Sequence, residues 1–224
     1  MNILLVFAHP EPQSFNGAML RTAVATLEAA GHQVQVSDLY AQSFEAASDR
    51  RNFTTVQNTA YFKQQREELY ATAHHGFAAE IETELQKLAW CDVMIWQFPL
   101  WWFGVPAVLK GWVDRVFAMG RAYGAGQFYE AGVFRGKRAL LSLTTGSGSP
   151  AEAYAPGGLQ GDLLGILRPI HRGMLQFTGF TVLAPHVVYG PAGQSDEQRA
   201  TELATWAARL PGLAEEAPLV VGTY

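Results

Sequence analysis

Residues 1–39 read MNILLVFAHPEPQSFNGAMLRTAVATLEAAGHQVQVSDL, and the order of signals inside them decides the fold. Residues 2–8 are a continuous apolar run that stops at His9-Pro10, the pattern of a strand buried on both faces and ended by proline. Leu20, Val24 and Leu27 then recur at helical spacing, and Gly31 supplies a C-terminal stop. In residues 33–39, Val34 and Val36 alternate as in a strand. Strand, helix and strand so close together make a βαβ unit, which pairs its strands in parallel through a right-handed crossover.

The same alternation continues downstream. Residues 40–73 have no strong period and read as a long excursion with some helix. An amphipathic helix over 77–90, with Ile81, Leu85 and Leu88 on one face, leads into a third strand at 92–98. A helix over 105–117 follows, with Pro106 in its first turn, where the missing amide hydrogen costs nothing. Residues 137–144 read as the fourth strand, 162–177 as a helix interrupted by Pro169, and 180–184 as the fifth strand. A helix over 195–210, capped by Ser195 and ended by Pro211, closes the pattern. The expected fold is α/β: a doubly wound, five-stranded parallel sheet with helices on both faces, in one domain over 1–224.

Composition agrees and excludes several classes. With 49% hydrophobic and 16% charged residues there is ample material for a covered sheet, so disorder is not expected. A net charge of -4, with Lys and Arg scattered, offers no basic face for nucleic acid. Cys91, the single cysteine, cannot form an internal disulfide and lies in an apolar stretch as an inert thiol would. No run is long enough to cross a bilayer, and the apolar start reads as a strand rather than a leader, so the expected compartment is the cytoplasm. His74 and His75 are adjacent and the other histidines lack ligand spacing, so no metal site is expected. Gly146-Ser147-Gly148 is not a Gly-x-Ser-x-Gly elbow.

In such sheets ligands sit beyond the carboxyl ends of the strands, at the point where strand order reverses. Three loops are therefore candidates. The first, His9 to Asn16, opens onto a helix whose free amides and dipole favour an anion such as phosphate, with Ser14 and Asn16 either adding donors or only capping the helix. It carries neither Gly-x-Gly-x-x-Gly nor a Walker pattern. The second, Gln97 to Pro106, places Trp101, Trp102 and Phe103 at a strand's end between prolines, as a stiff apolar wall for a flat ring. The third, Thr144, Thr145, Gly146 and Ser147, can bring backbone amides against the polar edge of a heterocycle, or can be a linker.

Taken together, HPEPQSFN (9–16), SDLY (37–40), QFPLWWFGVPAVLKGW (97–112), RVF (115–117), LSLTTGSGS (141–149), Tyr154 before LQGD (159–162), and QFTGF (176–180) resemble the two-electron quinone reductases known as DT-diaphorases. The similarity runs in order along nearly the whole chain, and the 98–112 block is highly specific. The resemblance implies a flavodoxin-like homodimer that binds FAD, takes hydride from NADPH or NADH, and then reduces a quinone or another planar acceptor in a ping-pong cycle. It implies that His9, Ser14, Phe15 and Asn16 hold the FAD pyrophosphate and its surroundings. Pro99, Leu100, Trp101, Trp102 and Phe103 would line the isoalloxazine, with Thr144, Thr145, Gly146 and Ser147 at its polar edge and Arg199 near the adenylate. Trp102, Phe103, Tyr123 and Phe177 would contact substrate, the last two from the partner subunit. Tyr154 corresponds to the tyrosine that supports the reduced flavin.

Three departures accompany the match. Gln160 stands where the family has a catalytic histidine, and glutamine cannot become a cation. Ala125 replaces a second gate tyrosine. The mammalian forms carry a C-terminal extension beside the adenosine, and this sequence ends at Tyr224, which leaves FMN open beside FAD. Two other functions fit the same fold: a flavin-binding regulatory subunit of a membrane transporter, and a flavodoxin-type electron carrier.

Overall fold

The structure, a computed structural model, describes residues 1–146 and 150–223. The apolar run at its start is β1 (Asn2–Phe7), paired in parallel with β2 (Gln33–Asp38) on one side and β3 (Val93–Pro99) on the other. β4 (Arg138–Thr144) adds to β3 and β5 (Thr181–Val182) follows it, in the order β2-β1-β3-β4-β5. Order reverses between β1 and β3, so the crevice of interest opens where Phe7 lies opposite Gln97.

The fifth position is occupied by two short strands. β5 (Thr181–Val182) pairs with Arg138 and Ala139, and β6 (His186–Val188) pairs with Ser142 to Thr144. Pro185 stands between them without an N–H to give the ladder, so the expected strand at 180–184 is only its first half.

The alternation of side chains along each strand feeds two apolar layers. Leu4, Val6, Met94, Trp96, Leu141 and Leu143 face one side, packed by α3 (Ala79–Trp90), α4 (Ala107–Val116) and α5 (Leu163–Ile170). Ile3, Leu5, Val93, Ile95 and Leu140 face the other, covered by α1 (Phe15–Ala29) and α6 (Asp196–Arg209). Buried Glu84 on α3 is held by Ser37 Oγ (2.6 Å), Lys87 Nζ (2.8 Å) and Trp112 Nε1 (2.9 Å), which pins that helix to β2 and α4.

Helix ends follow local chemistry. Gly31, at φ +80°, ends α1 while its amide donates to Glu28 O and that of His32 to Leu27 O. Ser195 caps α6 in a reciprocal box with Gln198. Pro106 is the residue before α4 rather than inside its first turn, since its ψ of 148° is still extended. The expected helix over 162–177 is instead α5 followed by a π-helical turn over His171–Gln176, in which Phe177 N donates to Arg172 O. Pro169 inside α5 gives no amide hydrogen, which loosens the regular ladder there.

The excursion contains α2 (Gln64–His74) and is fixed by polar links rather than by periodicity. Buried Glu67 accepts from the amides of Gln57 (2.7 Å) and Asn58 (3.0 Å). Buried Arg115 on α4 reaches Asn52 Oδ1 and Glu45 O, both at 2.7 Å. Among the described residues no helix is long and apolar enough to cross a membrane.

Candidate active site

The turn between β1 and α1 is shaped by its own backbone. Ser14 is the N-cap, its Oγ accepting from Gly17 N at 3.1 Å, and Arg21 Nη1 donates to Pro12 O at 2.6 Å. A Cβ on Gly17 would stand 2.0 Å from Pro12 O, so only glycine lets the turn fold back on the helix. With Gly17 N taken by the cap, the amides of Phe15 and Asn16 are the ones left without helical acceptors. They sit at the positive end of the α1 dipole. Ser14 does cap, and its hydroxyl hydrogen remains able to donate. The Asn16 side chain points inward instead, to Gln97 and Thr144.

A cleft of about 700 Å³ opens above this turn, within the usual range for a cofactor site. His9, Ser14, Phe15, Asn16, Pro99, Thr144, Thr145, Gly146 and Arg199 all line it. Thr145 is fixed by its amide on Val188 O (3.0 Å) and its Oγ1, which accepts from Gly190 N (3.1 Å). Arg199 is tied to the start of α6 through Pro191 O (3.2 Å), Gln194 O and Asp196. His9 Nδ1 lies 3.0 Å from Glu11 N, and partial burial holds its pKa below the ordinary value against the pull of Glu11. Ser147 lies outside the described residues.

The aromatic segment forms a tight turn at the end of β3 and leaves the cleft wall. Leu100 is buried, but Trp101, Trp102 and Phe103 are 42%, 98% and 49% exposed. Trp101 approaches the cleft through its ring, 6.3 Å from that of His9. Tyr154 is buried with its ring 5.6 Å from Tyr189, and the amide of Gln160 donates to Ala153 O at 2.8 Å, which brings residues 154 and 160 together.

Tyr123 and Phe177 are elsewhere. Their rings are 5.8 Å apart in a second cavity of about 350 Å³, which shares no lining residue with the first. Gln65 Nε2 donates to Tyr123 Oη at 3.2 Å, and Phe128 stacks on Phe177 at 5.8 Å and 7°. Burial raises the pKa of both Tyr123 and its neighbour Glu68 from their ordinary values.

The arrangement has relatives. A family profile described as "Flavodoxin-like fold" matches residues 1–210. The ribosyldihydronicotinamide dehydrogenase [quinone] of Rattus norvegicus is 44% identical over 218 residues, 97% of this chain and 94% of that protein. The chain belongs to the flavodoxin-like NAD(P)H:quinone oxidoreductase family. The NAD(P)H dehydrogenase [quinone] 1 of Cavia porcellus is 41% identical over 217 residues, covering 96% of this chain and 78% of that one. A crystal structure from Klebsiella pneumoniae, designated a quinone reductase, superposes with a TM-score of 0.92 at 42% identity, over 97% of this chain and 86% of the other. As a member of this family the chain is an oxidoreductase.

Several lining residues escaped the sequence reading. Gln64, Gln65 and Glu68 come from the excursion, whose α2 carries no apolar period that would have announced it. Gln97 lines neither cavity but is buried to 1% in an apolar strand beneath the first, and the polar break in a run of apolar neighbours was its signal.

Proposed function

We propose that the chain reduces quinones by two electrons at the expense of NADH or NADPH, through a bound FAD, as a cytoplasmic homodimer. The observation that carries this reading is the convergence of the β1–α1 turn, the end of β3 and the end of β4 on one cleft at the switch point. When bound, a flavin supplies the hydride chemistry, taking two electrons from the nicotinamide and giving them to the quinone in turn.

The residues present fit that group. The amides of Phe15 and Asn16, at the head of α1, suit a pyrophosphate, with the Ser14 hydroxyl and His9 beside them. Arg199, which also lines the cleft, suits the adenylate. Pro99 and Leu100 back the ring, while Thr144, Thr145 and Gly146 meet its polar edge. Trp102 and Phe103 are exposed at the end of β3, where they would offer stacking surface to a flat acceptor. Tyr154, with Gln160 beside it, would supply a hydrogen-bond donor for negative charge on a bound flavin ring. Tyr123 and Phe177 share no cavity with the cleft of their own chain, so in this reading they complete the cleft of a second copy about a two-fold axis.

The names of the relatives add ribosyldihydronicotinamide to the donors worth assaying. The decisive experiment purifies the protein, identifies the released flavin as FAD or FMN, and follows menadione reduction with NADH, NADPH and dihydronicotinamide riboside. Parallel double-reciprocal plots are the expected kinetic form. Flavin without turnover would favour the transporter regulator or the electron carrier, and a protein that stays colourless with added flavin would remove the reading altogether.

A further inference from the structure

Under the cleft three polar side chains from three elements are buried together: Gln97 on β3 (1% exposed), Asn16 on α1 (4%) and Thr144 on β4 (4%). Gln97 Nε2 donates to Asn16 Oδ1 at 2.8 Å, and Asn16 Nδ2 donates to Thr144 Oγ1 at 2.9 Å. Asn16 and Thr144 line the cleft, whereas Gln97 lies one layer below it.

The direction of this chain of bonds is selected by a sulfur. Gln97 Nε2 also faces Met19 Sδ at 3.6 Å, and a thioether can only accept. Reversing the Gln97 amide would set its oxygen against that sulfur, so the NH₂ end is fixed on the side shared by Met19 and Asn16. Asn16 must then turn its carbonyl oxygen to Gln97 and its NH₂ to Thr144. The Thr144 hydroxyl oxygen therefore accepts from Asn16, and its one proton is directed away from the protein interior. The opposite polarity would turn that proton inward to Asn16 and offer the cleft lone pairs alone. Gln97 Oε1 has no hydrogen-bond partner among the described residues, so nothing on the oxygen side competes for the orientation. A buried amide with one orphaned end costs stability that a leucine or methionine at the same place would not, which calls for a compensating role.

The geometry points to Gln97 as a positioning residue that makes Thr144 a hydrogen-bond donor toward the polar edge of the ring held in the cleft, with Asn16 as the relay and Met19 setting the polarity. This rests on the flavin reading above and deepens it. A donor at that edge favours the form of the ring that carries extra negative charge, and an acceptor disfavours it. The relay therefore biases the cleft toward the reduced cofactor, without touching it from position 97.

The test is the two-electron midpoint potential of the flavin bound to the purified protein, measured against reference dyes. In Gln97→Met and in Thr144→Val the preference for reduced over oxidised flavin falls about tenfold, a drop of about 30 mV for a two-electron couple. The double variant drops no further than either single one, because both interrupt one path. Thr144→Ser, which keeps the hydroxyl, retains the parent potential. Met19→Leu keeps the volume, removes the sulfur, and shifts the potential in the same direction; with Thr144→Val it decides the matter if Gln97→Met does not fold. A lowered potential in Thr144→Val beside unchanged values in Gln97→Met and Met19→Leu overturns the relay, as does an additive double variant. Parent protein that takes up no flavin fails at the earlier step and overturns the cofactor reading itself.

Discussion

Trp101 and Gly104 close on each other, the amide of each donating to the carbonyl of the other at 3.1 and 3.0 Å. The two residues between them, Trp102 and Phe103, are both left-handed, at φ 51° and 57°. This two-residue turn is normally made by Asn-Gly, because a Cβ in that region crowds the following carbonyl by roughly 1–2 kcal/mol per residue. Trp102 is 98% exposed and recovers nothing by packing. Strain of this kind, held at the rim of a cleft, points to a function for the rings rather than for the fold.

Trp102→Gly should therefore stabilise the protein while impairing it. Relief of the left-handed strain, less the added chain entropy of glycine, leaves a gain of about 0.5–1 kcal/mol, or roughly 1–4 °C in melting temperature for a chain of this size. In stopped-flow oxidation, binding of menadione should weaken more than binding of flavin. Unaltered oxidation by menadione would take Trp102 out of the acceptor site.

Position 160 offers a test by restoration. Gln160 lies beside Tyr154 through its amide on Ala153 O, and its side chain carries no proton that titrates near neutrality. Gln160→His introduces a group with an ordinary pKa of about 6.5. Flavin content should stay as it is, while the rate of flavin reduction acquires a dependence on pH around neutrality that the parent lacks. A rate and pH profile matching the parent would remove this position from the mechanism.

The sheet was legible because burial on both faces leaves continuous apolar runs at 2–8 and 92–98, and because Gly31, Ser195 and Pro211 mark helix ends by local chemistry. The interrupted strand around Pro185 and the π-helical turn after Pro169 were not, since both depend on how a missing amide hydrogen is accommodated by neighbours far along the chain. The excursion was opaque for a related reason: Glu67 and Arg115 secure it through buried polar bonds, which leave no periodic trace. At the site, the first and fourth strand ends could be placed from their turns, and nine of the residues read from sequence do line one cleft. The inward turn of Asn16 needed coordinates, because a cap, a phosphate donor and a relay all use the same amide.

Stability should fall on mild acidification. Burial holds the pKa of His171 and of His186 down to about 4, with Arg209 adding to the effect at His186, and the Nε2 of each has no partner among the described residues. Between pH 4 and 6.5 the unfolded chain binds protons that the folded chain refuses, so stability is complete above about pH 6.5 and is lost as pH drops toward 4. Each histidine accounts for roughly 2–3 kcal/mol across that window. His171→Leu should flatten the acid limb of a urea-midpoint against pH curve, and a slope as steep as the parent's would mean that His171 is protonated in the folded state.

Whether Tyr123 and Phe177 serve a neighbour's cleft can be decided by mixing two damaged chains. In a shared-site dimer, a hybrid of Trp102→Ala with Tyr123→Ala has one cleft bearing both lesions and one bearing neither. Random exchange makes half of all dimers hybrid, so about a quarter of the parental quinone-reductase rate should return on mixing, and neither variant alone should show it. If instead each chain served itself, every cleft in the mixture would keep one lesion. The mixed rate would then equal the mean of the two variants, and the distance between the two cavities would have to close by motion within one chain.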